Sequence, residues 1–219
     1  MWNGTTDQVK QSEEIACVIL RHGKTDYNEL GKYLGQCDLP LSPKGEEELW
    51  KKKATLCLPP AEVCVCSPLL RCRQTAKRLW PDAELFVVED FREIDFGRWE
   101  GKTYRELSSR EDTKEEYQAW IDSGGENAFP DGESRAEFIR RVQNGWDFFV
   151  RELQYGKTFE GVSRIGYVVH GGTIMALLSW LFGGDYYDYR VENADGYRFT
   201  LNRQSGKVSG LTGLDGGAL

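Results

Sequence analysis

Histidine and paired cysteine, which often bind metals in proteins, are scarce in this chain of 219 residues. It has only two histidines, His22 and His170, and none of its six cysteines belongs to a C-x-x-C pair. Ligand sets for zinc are therefore few, and we expect no metal and no other cofactor. Cys64 and Cys66 would share one face of a strand. We interpret them as buried apolar side chains in a reducing compartment, with a zinc or disulfide role as the alternative.

Long apolar segments and an excess of positive charge are also missing. The apolar run at residues 15–20 is too short to span a membrane, and residues 1–14 lack the apolar core of a signal peptide. The net charge of −7 argues against partners such as nucleic acid or anionic membranes. We therefore expect a cytoplasmic protein with a polar N-terminal extension at residues 1–14.

The apolar runs that are present predict a parallel sheet. β-Branched, continuously apolar runs occupy residues 15–20, 63–66, 85–88 and 165–169, as expected for strands buried on both faces. Ser42-Pro43 and Ser67-Pro68 have the residues typical of a helix start, and residues 133–153 and 172–181 have helical patterns. This alternation predicts an α/β fold, with residues 197–201 as an antiparallel edge strand.

The chain has neither a linker-like stretch nor an internal repeat, which favours one domain over residues 15–205. Within it, the charged region 108–132 is predicted to be a helical insertion that covers a site as a lid. Residues 206–219 are rich in glycine and are predicted to form a loose tail.

Groups of polar residues follow the predicted strands, at the edge where sites form in parallel α/β sheets. They are Arg21-His22-Gly23, Ser67-Pro68-Leu69-Leu70-Arg71, Arg92-Glu93-Ile94-Asp95 and His170-Gly171-Gly172. Taken singly, such a histidine is more often a satisfied structural residue, and Arg71 or Glu93 a solvated surface residue. Both histidines of the chain occupy these positions, with glycine beside each, which favours one shared site.

The shared site would combine two imidazoles, guanidinium groups and a carboxyl group. Phosphoryl transfer needs these functions, because it requires a charge clamp, a nucleophile and a proton donor. The sequence has no P-loop pattern and no glycine-rich dinucleotide fingerprint. It also has no histidine and aspartate cluster of the kind found in two-metal phosphatases.

At this point the sequence resembles the histidine phosphatase, or phosphoglycerate mutase-like, superfamily. The blocks that carry the resemblance are Arg21-His22-Gly23-Lys24-Thr25 with Asn28, Gly35, Asp38-Leu39-Pro40-Leu41-Ser42, Ser67-Pro68-Leu69-Leu70-Arg71 with Gln74-Thr75-Ala76, Glu93-Ile94-Asp95-Phe96-Gly97-Arg98-Trp99-Glu100-Gly101, Gly132-Glu133-Ser134 and Val169-His170-Gly171-Gly172. The departures are Lys24, where the family often has Glu, and Lys32-Tyr33-Leu34, where relatives often have Arg and Gln.

The resemblance implies a three-layer α/β/α fold and a mechanism without metal. His22 would attack phosphorus and form a phosphohistidine, and Glu93 would act as the acid and then the base, with Asp95 as the alternative. The residues implied to hold the phosphoryl group are Arg21, Asn28, Arg71, His170 and the backbone at Gly171. A neutral His22, with its pKa lowered by the nearby arginines, and a Glu93 with a raised pKa are expected.

Within the superfamily the sequence looks most like the α-ribazole phosphatases of cobalamin biosynthesis, which implies a small-molecule phosphomonoester as substrate. Phosphoglycerate mutase activity is the alternative, and a non-catalytic regulatory domain that binds a phosphorylated ligand is an alternative of another class. Several aromatic residues would either line an outer pocket or pack in the core: Trp99, Tyr104, Tyr117, Trp120 and Phe129. The oligomeric state is left open, with a homodimer as one option.

Overall fold

The strands form one sheet of six. The computed structural model describes residues 13–56 and 58–214. Its strands are β1 (Glu14–Arg21), β2 (Val63–Cys66), β3 (Glu84–Val87), β4 (Arg164–Val169), β5 (Gly196–Asn202) and β6 (Val208–Gly213). They lie in the order β3-β2-β4-β1-β5-β6. Neighbours among β1 to β4 are parallel, whereas β5 and β6 run antiparallel, so the predicted α/β fold with a mostly parallel sheet is confirmed.

The C-terminal part of the sheet differs from the prediction. The segment 197–201 is antiparallel as expected, but it lies between β1 and a further strand, β6, which forms the edge. The predicted loose tail from residue 206 is therefore wrong for Val208–Gly213. Backbone groups alone suffice to pair with β5, and Gly206, with φ of +68°, permits the turn. Residues 215–219, and residues 1–12 of the predicted extension, lie outside the described residues.

Helices connect the strands. They are α1 (Asp26–Glu29), α2 (Pro43–Thr55), α3 (Leu70–Leu79), α4 (Tyr104–Ser109), α5 (Lys114–Asp122), α6 (Arg135–Tyr155) and α7 (Gly171–Phe182), with short 3₁₀ helices at Glu89–Phe91, Gly97–Trp99, Lys157–Phe159 and Tyr186–Tyr189. None of the helices in the described ranges is both long and apolar enough to cross a bilayer.

The two predicted Ser-Pro helix starts have different outcomes. α2 begins as predicted, because Ser42 Oγ accepts a hydrogen bond from the Gly45 N–H at 2.9 Å. α3 begins later, with Leu69 at its N-cap and no side-chain cap, so the prediction of Ser67 as the N-cap is wrong. The Ser67 hydroxyl instead lies 2.7 Å from His170 Nε2, which makes it part of the site rather than of the helix.

Helices cover both faces of the sheet and give the three layers implied by the resemblance. Successive residues of β1 point to opposite faces. Ile19 belongs to a buried cluster with Phe138 of α6, whereas Leu20 belongs to a second cluster with Leu49 of α2 and Cys72 of α3. The carboxyl ends of β1, β2 and β4 therefore open between two tightly packed layers.

The interpretation of Cys64 and Cys66 as buried apolar residues is confirmed. Both side chains are fully buried in the second cluster, and both are free thiols. Burial raises the pKa of Cys66 to about 11 and raises that of Cys64 well above its ordinary value. Neither thiol is therefore ionised near neutral pH.

Candidate active site

The two histidines meet at the carboxyl ends of β1 and β4. Parallel pairing places Arg21 opposite Val169, and the His22 N–H donates to the Val169 carbonyl at 3.0 Å. The imidazole centroids of His22 and His170 are consequently 5.1 Å apart, with the rings edge to face. The two rings are 3% and 0% exposed, respectively. The predicted convergence of two histidines that lie far apart in the chain is confirmed.

His22 presents an uncharged nitrogen. Its Nδ1 lies 2.7 Å from the Gly23 carbonyl oxygen, which can only accept, so Nδ1 carries the proton and Nε2 carries the lone pair. Burial, and then the charges of Arg71 and Arg21, lower the pKa of His22 well below its ordinary value. The expected neutral imidazole is thus confirmed, and burial outweighs the arginines as its cause.

Buried polar groups that sequence reasoning missed hold the backbone around His22. Thr75 Oγ1 accepts from the Gly23 N–H at 2.9 Å and donates to the Arg71 carbonyl at 2.7 Å. Asn193 Nδ2 donates to the His22 carbonyl at 3.0 Å. Thr75 belongs to one of the sequence blocks shared with the family. Its position four residues after Arg71 was the only sequence signal for its hydrogen bond to the Arg71 carbonyl. Asn193 had no sequence signal.

Arg71 is fully buried beside the histidines and is partly committed to a loop. Its terminal nitrogens donate to the carbonyls of Cys37 and Gly35, at 2.8 and 2.6 Å. The carboxylate of Glu100 accepts from the N–H groups of the same loop, residues 35–37. The Nε of Arg71 is buried and has no partner among the described residues. This Nε–H, and one further N–H on each terminal nitrogen, are therefore not used by these contacts.

Arg21 lies on the other side of the pair. One terminal nitrogen donates to the Val191 carbonyl at 3.0 Å, and its buried Nε also has no partner within the described ranges. A Cβ atom on Gly171 would lie 3.4 Å from this Nε. The absence of a side chain at Gly171 thus leaves the space between Arg21 and the N-terminus of α7 open to an anion.

Glu93 is held at the N-terminus of α7. One carboxylate oxygen accepts from the Gly172 N–H and the other from the Ile94 N–H, both at 3.0 Å. Burial raises the pKa of Glu93, although both backbone hydrogen bonds and the arginines act in the opposite direction. The expected raised pKa is confirmed. A Cβ at position 172 would lie 2.3 Å from a Glu93 oxygen, so the carboxyl position requires glycine there.

The segment that carries Glu93 is fixed by an ion pair. Arg141 of α6 makes two hydrogen bonds of 2.7 Å to the carboxylate of Glu133. The same guanidinium donates to the carbonyls of Asp90, Arg92 and Glu93. Glu133 was part of a recognised block, but its partner Arg141 is a contribution that sequence reasoning missed. By contrast, Asp95, the alternative acid, accepts from the Gly97 N–H at 2.8 Å and does not line the cavity.

The sequence pattern described as "Histidine phosphatase superfamily (branch 1)" matches residues 17–212. The chain belongs to the histidine phosphatase superfamily. Its similarity to individual members is moderate. It is 31% identical to an adenosylcobalamin/α-ribazole phosphatase of Salmonella typhimurium over 180 residues, which cover 80% of this chain and 84% of that one.

Other histidine phosphatases are similar to a comparable degree. Phosphoserine phosphatase 1 of Hydrogenobacter thermophilus is 29% identical over 185 residues, or 81% of this chain and 85% of its own. The crystal structure of the α-ribazole phosphatase from Shigella flexneri superposes with a TM-score of 0.71 at 25% identity, covering 89% of this chain and 94% of that chain. These relatives support phosphatase activity, and their names differ in substrate.

A cavity of about 560 Å³ leads to the site of this histidine phosphatase. It is lined by Arg21, Asn28, Gly31, Lys32, Tyr33, Leu34, Glu93, Ile94, Phe96, Tyr104, Trp120, Gly125, Phe129, Arg135, Gly171, Gly172, Met175, Tyr186, Tyr187, Arg190 and Val191. Arg21, Glu93 and Gly171 of the site belong to this lining. His22, Arg71 and His170 do not, and all three are buried. Four of the lining side chains are cationic, and the one carboxyl group among them is that of Glu93. The cavity therefore concentrates positive charge that can attract an anion, although the protein as a whole is acidic.

The predicted outer-pocket aromatics divide into two groups. Tyr104, Trp120 and Phe129 line the cavity, whereas Trp99 and Tyr117 are 0% and 4% exposed and pack in the core. The region 108–132 contributes α5 and the following loop to the wall of the cavity. That it moves as a lid stays a prediction. Further aromatic lining residues were not predicted: Tyr33, Phe96, Tyr186 and Tyr187.

The remaining family positions have clear contacts. Asn28 lines the cavity, but its side-chain oxygen accepts from the N–H and hydroxyl of Thr25, so its amide nitrogen is the group left to donate to a ligand. Lys24, the first departure, pairs with Glu48 at 2.9 Å. Lys32, the second, lies on the cavity wall with its ammonium 5.2 Å from the Tyr27 ring centroid. The first departure is thus a surface feature, and the second faces the cavity.

The shifted pKa values of His22 and Glu93 predict a bell-shaped pH dependence of kcat/KM. On the acid side the rate rises as Nε2 of His22 loses its proton, which occurs below the ordinary histidine pKa because that pKa is lowered. On the alkaline side the rate falls as Glu93 ionises, above the ordinary glutamate pKa because that pKa is raised. The measurement is a pH profile of wild type beside Glu93→Gln. An alkaline limb that persists unchanged in Glu93→Gln would mean that another group titrates.

Proposed function

We propose that this chain is a metal-independent phosphomonoesterase that hydrolyses a small-molecule phosphate through a phosphohistidine at His22. One observation carries the proposal. The unprotonated Nε2 of His22 has no hydrogen-bond partner among the described residues, beside two arginines and a carboxyl group with a raised pKa. A neutral nucleophile, a cationic clamp and a protonated acid are the three groups that the reaction needs.

In the first step the lone pair of His22 Nε2 attacks phosphorus and the ester P–O bond breaks. Glu93 gives its proton to the leaving oxygen, so the alcohol departs neutral and Glu93 becomes a carboxylate. The Nε–H groups of Arg21 and Arg71, which have no partner among the described residues, would donate hydrogen bonds to the phosphoryl oxygens. The N-terminus of α7 adds the backbone N–H of Gly171, since that of Gly172 is bound to Glu93.

In the second step water attacks the phosphohistidine. The P–N bond breaks and its electron pair returns to Nε2, while the Glu93 carboxylate accepts the proton of the water molecule. Inorganic phosphate leaves, and both His22 and Glu93 regain their starting protonation states. The same carboxyl group thus serves first as the acid and then as the base. Its pKa must be higher than that of an exposed glutamate, so that it is protonated before the first step. It must also be low enough for the carboxylate to exist after that step.

We propose α-ribazole 5'-phosphate as the leading candidate substrate. Two relatives named above are α-ribazole phosphatases. The cavity is far larger than a phosphate group and has an aromatic outer wall that includes Tyr104, Trp120 and Phe129. Such a wall suits a flat ring, because aromatic groups gain free energy from stacking as well as from burial.

A substrate panel with a chelator present tests both parts. It contains α-ribazole 5'-phosphate, an aryl phosphate, and 3-phosphoglycerate with its bisphosphate cofactor. We expect hydrolysis that resists the chelator, with the highest kcat/KM for α-ribazole 5'-phosphate. Loss of all activity to the chelator would contradict metal independence, and isomerisation of phosphoglycerate without release of phosphate would identify a mutase. No turnover of any compound would favour a non-catalytic binding domain.

A trapping experiment tests the intermediate. The enzyme is mixed with a substrate that carries radiolabelled phosphate, quenched with denaturant, and divided between acid and alkali. We expect label on the protein that is lost in acid and kept in alkali, as for a phosphorus–nitrogen bond. Label that survives acid would show that another residue is phosphorylated.

A further inference from the structure

Ser67 and Cys72 both contact the imidazole of His170, and their geometries differ. Ser67 Oγ lies 2.7 Å from Nε2. Cys72 Sγ lies 3.5 Å from Nε2 and 3.8 Å from Nδ1. A sulfur nearly equidistant from both ring nitrogens cannot lie along the lone-pair direction of either one. Cys72 is therefore a packing contact, and Ser67 is the directional hydrogen-bond partner of His170.

The direction of the Ser67 bond follows from the other bonds around its hydroxyl. The Leu69 N–H already donates to Ser67 Oγ, at 3.3 Å. Two acceptors among the described residues lie within reach of the hydroxyl proton: His170 Nε2, at 2.7 Å, and the Cys72 sulfur. The imidazole nitrogen is the stronger acceptor, because a thiol sulfur accepts hydrogen bonds only weakly. His170 is neutral, because burial and the charge of Arg71 lower its pKa well below the ordinary value. One proton remains for its two nitrogens, and a hydroxyl that donates to Nε2 leaves that proton on Nδ1.

We propose that Ser67 is a positioning residue that fixes His170 in the Nδ1–H tautomer, so that Nδ1–H donates to a phosphoryl oxygen. The role for His170 rests on the proposed function, whereas the tautomer does not. His22 holds the same tautomer through the Gly23 carbonyl. The two imidazoles would therefore use opposite nitrogens: His22 offers the lone pair of Nε2, and His170 offers the proton of Nδ1.

The tautomers can be read directly by NMR because the chain has only two histidines. Nitrogen-15 correlation spectra of a protein without an affinity tag distinguish protonated from unprotonated ring nitrogens, and a His22→Asn variant assigns the two rings. We expect Nδ1 protonated in both rings of the wild type. In Ser67→Ala we expect His170 to shift toward the Nε2–H form, while His22 stays unchanged.

Kinetics provides the second readout. Loss of the orienting hydroxyl should lower kcat/KM about tenfold, the scale of one buried hydrogen bond. Ser67→Cys, which keeps a weak donor of similar size, should recover part of the activity. Ser179→Ala removes a hydroxyl bonded to the Met175 carbonyl in α7 and should leave kcat/KM and both tautomers unchanged, which makes it the matched control.

The outcomes separate the two proposals. An Nε2–H tautomer at His170 in the wild type, or a tautomer that Ser67→Ala leaves unchanged, would overturn the role of Ser67 whatever the enzyme hydrolyses. The predicted tautomers in a protein that turns over no phosphomonoester would uphold the positioning by Ser67 and overturn the proposed function.

Discussion

Replacement of His22 by alanine is expected to abolish turnover, with a fall in kcat of roughly 10⁴-fold or more, as for other enzymes that lose their nucleophile. The physical reason is that His22 Nε2 has a free lone pair and a lowered pKa, whereas the other imidazole of the described site, His170, has its Nε2 in a hydrogen bond with Ser67. The measurement is single-turnover and steady-state hydrolysis of the preferred substrate from the panel.

A second variant separates chemistry from folding. His22→Asn keeps an N–H that can donate to the Gly23 carbonyl but has no nucleophilic ring nitrogen. We expect it to be as inactive as His22→Ala, with a thermal midpoint closer to wild type and no radiolabelled phosphoenzyme. Turnover near the wild-type rate in either variant, in a folded state, would remove His22 from the mechanism.

Replacement of Glu93 by glutamine is expected to slow hydrolysis in a way that depends on the leaving group. General acid catalysis contributes about 10²–10⁴-fold, and we expect a loss on that scale for alkyl phosphates, whose alkoxides leave poorly. For an aryl phosphate such as p-nitrophenyl phosphate the loss in the first step should be much smaller, because the phenolate leaves without a proton. The measurement is kcat/KM across a series of esters with graded leaving-group pKa.

The control for Glu93 is a nearby glutamate with no place in the site. Glu89 is exposed and pairs with Arg92, so Glu89→Gln removes a carboxylate of the same type four positions away. We expect its kcat/KM to match wild type for every ester. A loss in Glu93→Gln that is equal across the series would show that Glu93 supports the fold of the site rather than proton transfer.

The fold could be predicted because the pattern of buried strands is local. Continuous apolar runs indicated β1 to β4 to within a residue or two at each end, and parallel pairing then required their carboxyl ends to meet. The edge strand β6 was missed because Val208–Gly213 owes its pairing to the backbone of β5 and has little apolar pattern of its own. Its position depends on the completed sheet, which no local signal contains.

The site was predictable where strand ends supply the side chain, as for His22 and His170. Contacts that cross between elements were not. Ser67 carried the pattern of a helix cap, yet its hydroxyl bonds a histidine 103 positions away. Arg141 lies on a regular amphipathic helix, where an arginine normally faces solvent, and nothing local indicates that it holds Glu133 and the Glu93 backbone. Such partners are selected by tertiary distance rather than by sequence spacing.

The loop at residues 35–37 is clamped from both directions, since Glu100 binds its N–H groups and Arg71 binds its carbonyls. An arginine side chain that moved freely would lose up to about 2 kcal/mol of conformational entropy when an anion immobilised it. Here that loss falls on folding instead, so the Nε–H donor is preorganised before any substrate arrives. Under the proposed mechanism, the affinity for phosphate is therefore linked to Glu100, which holds the loop that positions Arg71.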